Sequence, residues 1–355
     1  MDIKKILKVA VRGGASDIIL KVGSVPRFRL VGNLITLSEG VSISEDMMSS
    51  WLEELIPVHL RDSYSSAKDI DFSYETPWGY RFRINVFFQM QKRAMVLRVI
   101  PGHVKTMEEL QLPPFFGSIA ALKRGLVLIT GATGSGKTTS LAAVVEKINQ
   151  TRAGHVLTIE DPIEFVFKDA LSTVSQREVG LDTGSFADAL RAGLRQNPDV
   201  IFVGELRDRE TIEVAMLAAE TGHLVLSTLH TQSAYDSLLR ILSHFDATKH
   251  SHICQVLSAT LAAVVSQRLI PRCDIRGLVP ALEILAANDL VRHLILEGRF
   301  SELPEVIKKA DSSYGMQTFD QSLISLLQRG VISEEVAMLN ASKKTNMDLV
   351  LKGVS

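Results

Sequence analysis

The spacing of apolar positions changes character near residue 101. Before it, short apolar runs alternate with polar residues. MDIKKILKVAVRGGASD places Ile3, Ile6, Leu7 and Ala10 on one face of a short amphipathic helix. SDIILKVGSVPRFRLVGNLITL reads as strands broken at Gly23, Pro26 and Gly32-Asn33, in a hairpin-like pattern. SEDMMSSWLEELI predicts a helix opened by Ser44, with Glu45 and Asp46 in its first turn. DIDFSYETPWGYRFRINVFFQ predicts two strands around a Pro-Trp-Gly turn, and RAMVLRVI a third. Residues 1–100 therefore make a small α+β domain with a largely antiparallel sheet.

PGHVKTMEELQLPP has proline at both ends and little periodicity, which predicts an interdomain linker over 101–117. From 118 to 355 the texture is different. The strands GLVLITG, HVLTIED, DVIFVGE and HLVLSTLH alternate with the helices SLAAVVEKIN, FADALRAGLRQ and ETIEVAMLAAE. Strands this apolar are buried on both faces, so they predict a parallel, doubly wound α/β sheet. From about residue 233 the chain reads as mostly helical, with one further strand at GLVPALEIL. The tail GMQTFDQSLISLLQRGVISEEVAML predicts two amphipathic helices separated by Gly330, with Phe319, Leu323, Leu326 and Leu327 on one face of the first. That face either packs on the core or couples the domain to other subunits.

Length and charge narrow the function classes. A chain of 355 residues suggests two domains or three small ones. The 39 basic and 40 acidic residues leave a net charge of −1, which argues against bulk attraction to nucleic acid or anionic lipid. Two cysteines, Cys254 and Cys273, are too few for a disulfide framework or a four-thiolate zinc site and read as reduced thiols. No apolar run approaches the ~20 residues of a membrane span, and Lys8 and Arg12 interrupt the first apolar stretch, so no signal peptide is expected. These features predict a chain in the cytosol or peripheral to a membrane.

The chemistry begins at GATGSGKT, Gly131 to Thr138, which fits G-x-x-x-x-G-K-[ST] between a strand and a helix. Its glycines let the loop wrap N–H groups around phosphate oxygens, and the helix that follows turns its positive end to the same anion. The cradle is Gly131, Ala132, Thr133, Gly134, Ser135, Gly136, Lys137, Thr138 and Thr139. Lys137 is expected to reach the β and γ phosphates of ATP, and the Thr138 hydroxyl to ligate Mg2+.

FVGELRD places Glu205 at a strand tip, where it would polarise the attacking water, but Gly204 stands where many ATPases carry a metal-holding aspartate. TIEDPIEF, at the end of a neighbouring strand, supplies Glu160, Asp161 and Glu164 to the same side of the sheet. Glu164 is the expected helper of Glu205 toward Mg2+ or the water. Glu160 and Asp161 are expected to orient neighbours or to bind metal through water. GHLVLSTLH carries His223 at the start of a strand and His230 at its end, where a polar side chain can sense the γ-phosphate. Both are candidate catalytic residues. No Cys/His cluster has the spacing of metal ligands.

Taken in order, GATGSGKT, TIEDPIE, FVGELRD and GHLVLSTLHT resemble the Walker A, Asp box, Walker B and His box of secretion-type hexameric ATPases. The resemblance spans nearly the whole chain. It implies a PAS-like N-terminal domain and a RecA-like P-loop ATPase core with a helical C-terminal region. Within that superfamily the chain is most similar to the type IV pilus retraction ATPases. The lack of a tetracysteine element and the stretches NDLVRHLILEG and GMQTFDQSL point there. The resemblance implies catalysis by Glu205 and Glu164. It also implies a homo-hexamer whose N-domain arginines, Arg83 and Arg98, serve a neighbour's site, with Arg81 on the same face as Arg83. As partners it implies a polytopic inner-membrane pilus platform protein and a paralogous retraction ATPase. Placement would be cytoplasmic, at the membrane base of the pilus machine. A related motor energising secretion or conjugation is the alternative. A nucleic-acid translocase would need a basic, aromatic-interleaved groove, which the chain lacks. A non-hydrolysing subunit would not need Lys137, Glu164 and Glu205 together.

Overall fold

The computed structural model describes residues 2–30, 33–36, 41–61, 64, 68–100, 102–310 and 315–352. Gly32, one of the expected breaks, lies outside them. The chain divides into two compact units, 1–103 with 164–166, and 104–163 with 167–355. Residues 104–117, expected as linker, thus fall in the second unit, where Phe116 and Ile119 of the helix Phe115–Ala121 are buried. Val104, Met107 and Phe116 of the segment are themselves buried, which anchors it instead of leaving it free.

In the first unit the strands β1 (Asp17–Lys21), β2 (Arg27–Leu30), β3 (Asn33–Thr36), β4 (Asp69–Glu75), β5 (Arg81–Gln89) and β6 (Lys92–Ile100) form an antiparallel sheet. Its order is β3-β2-β1-β6-β5-β4. The expected helices occur at Ile3–Arg12 and Glu45–Leu55, and Ser44 Oγ caps the second by accepting from Met47 N–H. Their apolar faces, Ile3, Ile6, Leu7 and Ala10 with Met48, Trp51, Leu52 and Leu55, close one core over Ile18, Phe82, Ile84 and Leu97 of the sheet.

The second unit is built on the order β13-β12-β7-β11-β10-β8-β9. Its strands are β7 (Gly125–Thr130), β8 (His155–Glu160), β9 (Thr173–Glu178), β10 (Val200–Val203), β11 (Leu224–Leu229), β12 (Leu261–Pro271) and β13 (Leu278–Ala286). All neighbours pair parallel except the β12–β13 hairpin. Every residue of β7, β10 and β11 is buried, as strands covered on both faces must be. Parallel strands end on one edge, which collects the loops after β7, β8, β10 and β11.

Two strands were not expected. LAAVVSQRLIP, read as helical, is β12, and it pairs directly with β7. It is a continuous apolar run, which periodicity cannot assign to helix or strand. TVSQRE forms β9 at the sheet edge, and its polar residues are mostly half-buried.

The tail helices Phe319–Gln328 and Glu334–Asn340 lie as expected, with Gly330 between them in the left-handed region. Phe319, Leu323 and Leu326 are buried in a cluster with Ile270 of β12 and Val279 and Ala281 of β13. Packing therefore occupies this face. Each such side chain contributes roughly 1.5–3 kcal/mol, so three approach the whole stability margin of a domain, about 5–15 kcal/mol. Truncation after Ser312 is expected to give insoluble protein, read as loss of the soluble fraction on expression. A soluble, cooperatively unfolding truncation would assign the face to coupling instead.

Candidate active site

The loop 131–136 leaves β7 with Gly131, Gly134 and Gly136 all at positive φ. At two of these positions the surroundings also require glycine. A Cβ on Gly131 would collide with the Gln267 carbonyl and with Ser135 Oγ, and one on Gly136 would lie 2.8 Å from Gln267 Nε2. The helix Lys137–Thr151 begins with Gly136 as N-cap and no side-chain cap. Helices 45–55, 186–193, 209–220 and 234–242 each start under a Ser or Asp side chain. No N-cap side chain therefore competes with an anion at the positive end of the helix after the loop. Lys137 is buried, and its ammonium donates to Gly131 O at 2.9 Å and Ala132 O at 3.1 Å, curling the loop around itself.

Glu205 stands at the end of β10. Leu206 N–H donates to Thr228 O, Thr228 Oγ1 donates to Gly204 O, and Gly131 N–H donates to Leu229 O. These bonds tie the three loops after β7, β10 and β11 to one another. The Glu205 side chain is 11% exposed, with Arg207 Nη2 2.5 Å from Oε1 and His230 Nε2 3.3 Å from Oε2. The His230 contact is an ion-pair distance without hydrogen-bond geometry, so Oε2 keeps a free lone pair among the described residues. A carboxylate held by one oxygen and open at the other is suited to orient a water.

Gly204 N–H donates to Ile159 O, and a Cβ at this position would sit 3.5 Å from the Glu160 Cα. Glu160 is buried, and its Oε1 accepts from Thr158 Oγ1 at 2.7 Å and Gln176 Nε2 at 3.3 Å. Those bonds fit an orienting role. Asp161 and Glu164 are exposed, and Glu164 belongs with the first unit.

His223 is not brought to this group within the chain. It precedes β11, and its Nδ1 contacts Ala218 O at 2.9 Å and Thr221 Oγ1 at 3.2 Å, closing the end of the helix Arg209–Glu220. The strand between it and His230 spans ~20 Å. The fully buried strand places its two flanking histidines on opposite edges of the sheet.

Arg83 and Arg98 are directly opposite each other on β5 and β6. Arg83 Nε lies 3.4 Å from Asp71 Oδ1 and Arg98 Nε 3.1 Å from Asp17 Oδ1. With Asn85 and Val96 they line a hollow of about 280 Å³. Both guanidiniums are substantially exposed, at 42% and 69%.

The loop fits a polyphosphate. Ser135 Oγ is buried in it without a hydrogen-bond partner, and the glycine surfaces leave room only for backbone approach. No group of three His, Cys, Asp or Glu side chains able to hold a metal occurs among the described residues. A magnesium ion accompanying a nucleotide here would be held by the Thr138 hydroxyl, phosphate oxygens and water, with Glu205 and Glu164 as the carboxylates expected to serve it directly or through water.

The pattern of the type II/IV secretion system protein family matches residues 68–311. The chain belongs to that family. Among its relatives, a twitching motility protein of Neisseria gonorrhoeae is 44% identical over 91% of this chain and 86% of its own. The type IV pilus retraction ATPase PilT of Pseudomonas aeruginosa is 40% identical over 98% of this chain and 100% of its own. The crystal structure of the pilus retraction motor PilT with bound ADP superposes with a TM-score of 0.91 at 41% identity, covering 98% and 99% of the two chains. The family's P-loop core and small N-terminal domain are the two units described above.

Two residues at the site escaped the sequence reading. Arg207 lies inside FVGELRD, and its charge next to Glu205 was a readable signal. Gln267 touches the phosphate loop from β12, a strand the periodicity did not reveal, so nothing in the sequence marked it.

Proposed function

We propose that this chain is an ATP-hydrolysing motor that powers retraction of a type IV pilus by depolymerising it. The observation that carries the reading is full-length similarity to retraction ATPases joined to an intact site, Lys137, Thr138, Glu205 and His230 on one sheet edge. The motor works as a homo-hexamer on the cytoplasmic side of the inner membrane, against a polytopic platform protein, with a paralogous retraction ATPase as a further partner. No described helix is long and apolar enough to cross a membrane.

In hydrolysis the loop amides and Lys137 hold the β and γ phosphates. Glu205 takes the proton of the attacking water through its open oxygen, while Arg207 and His230 fix its position. Glu164 is the proposed helper of Glu205 toward magnesium or the water. Magnesium, when bound, neutralises charge developing on the phosphate oxygens. Arg83 and Arg98, each beside an aspartate in the isolated chain, supply the further positive charge to a neighbouring subunit's γ-phosphate.

The experiment is a clean deletion scored for surface pili and twitching. Retained pili with lost twitching are expected. Lost secretion with normal twitching would replace the reading with an export motor. A mixing assay tests the arginines. Arg83→Ala and Glu205→Gln rings are each inactive, and mixed rings should regain part of the ATPase rate, because some interfaces join an intact arginine to an intact glutamate. Physically mixed rings with no activity in a single-site turnover assay would place the arginines in cis.

A further inference from the structure

Gln267 is 2% exposed and lies opposite the phosphate loop, because Ser266 of β12 pairs with Thr130 at the end of β7. Its side chain makes two bonds, both to the loop and its helix. Nε2 donates to Ser135 O at 2.7 Å, and Oε1 accepts from Ser140 Oγ at 2.8 Å. Both groups of the amide are therefore used at a position where an unpaired one would be costly. The fit is close enough that a Cβ on Gly136 would lie 2.8 Å from Gln267 Nε2, while the backbone carbonyl of the same residue excludes one on Gly131.

A planar trans peptide points its C=O and N–H in opposite directions. Holding Ser135 O against β12 therefore turns the N–H of the same peptide, that of Gly136, to the far side of the loop. Gly136 sits at φ 84°, which the loop must hold without any cost recovered from side-chain packing. The Ser140 arm fixes the first turn of the helix to the same amide. One side chain thus sets the last loop peptide and the helix start together.

We propose that Gln267 is a positioning residue of the phosphate loop, aiming its amides at the nucleotide from β12. This rests on the reading of 131–138 as the nucleotide site. The clamp also sits on a mechanically tied strand. Ser266 Oγ accepts from Thr130 Oγ1 at 3.0 Å, and Arg268 lies over the Phe319 ring at 4.0 Å, so the residues flanking Gln267 bind the P-loop strand and the tail helices.

The test uses the full chain, a fluorescent ADP analogue, thermal unfolding without nucleotide, and steady-state ATPase kinetics. Gln267→Met keeps the volume and removes both bonds. Gln267→Asn keeps the amide but falls one methylene short of Ser135. Both should bind the analogue about tenfold more weakly, the size of one lost hydrogen bond. KM should rise by a similar factor while kcat changes little, because the aimed amides hold ground and transition states alike. Unfolding without nucleotide should stay within a few degrees of the parent. Ser140→Ala, which cuts one arm only, should lose less than either. The proposal is overturned if a folded Gln267 variant binds as tightly as the parent. It is also overturned if Ser140→Ala alone reproduces the loss, or if binding falls only with the folded fraction. A parent that fails to bind the analogue overturns the nucleotide-site reading and the proposal with it, whereas a parent that binds beside an unaffected variant overturns the proposal alone.

Discussion

Lys137→Ala abolishes hydrolysis and weakens nucleotide binding. The residue is 7% exposed, and its ammonium closes the loop on Gly131 O and Ala132 O. With a polyphosphate in the loop the same cation neutralises the β and γ oxygens where charge develops. Losing a preorganised donor of this kind costs about 10²–10³ in rate, and a full charge exceeds a neutral donor. The effect should fall on both terms, since binding and catalysis draw on the same charge. Two loop carbonyls are also left without their donor, so the loop should loosen locally. The sheet beneath it is held by β11 and β12, so global unfolding should shift little. Phosphate release from purified rings and binding of a fluorescent ADP analogue are the measurements. A variant hydrolysing at the parent rate would remove the phosphate-loop assignment.

Glu205→Gln binds ATP and turns it over about 10²–10⁴-fold more slowly, the usual worth of a general base. The amide fills the same space and still accepts from Arg207, but it cannot take a proton. Arg207 is 63% exposed, so the ion pair it loses contributes little to stability. KM should therefore stay near the parent value while kcat falls, the mark of a group that acts on the reacting water. A fall in affinity matching the fall in rate would recast Glu205 as a nucleotide ligand. Glu164→Gln, assayed beside it, separates the helper from its neighbours. If that variant keeps the parent rate, the assisting carboxylate is Glu160 or Asp161. Glu160, bonded to Thr158 and Gln176, is then the first to examine.

The phosphate loop, the strand-tip Glu205 and the alternation of apolar strands with helices were legible in the sequence. Each is a local code. Glycine spacing sets a loop's backbone, a run of β-branched residues sets a buried strand, and Ser or Asp ahead of an apolar period starts a helix. The N-domain strands and the faces of its two helices followed from the same local rules. What these rules could not give is which segments become neighbours. Arg83 and Arg98 are fifteen residues apart in sequence and face each other only because β5 and β6 pair in that register. His223 and His230 look equivalent in one motif, yet the six buried residues of β11 carry them to opposite edges of the sheet. The apolar run 261–271 fits helix or strand until β7 offers an unpaired edge. Pairing there satisfies a row of backbone groups at once, and only then does Gln267, 136 residues from Gly131, meet the loop. Composition and period determined the elements and the chemistry of the loop. Strand order and register, fixed by long-range hydrogen bonding and burial, decided which side chains share the site.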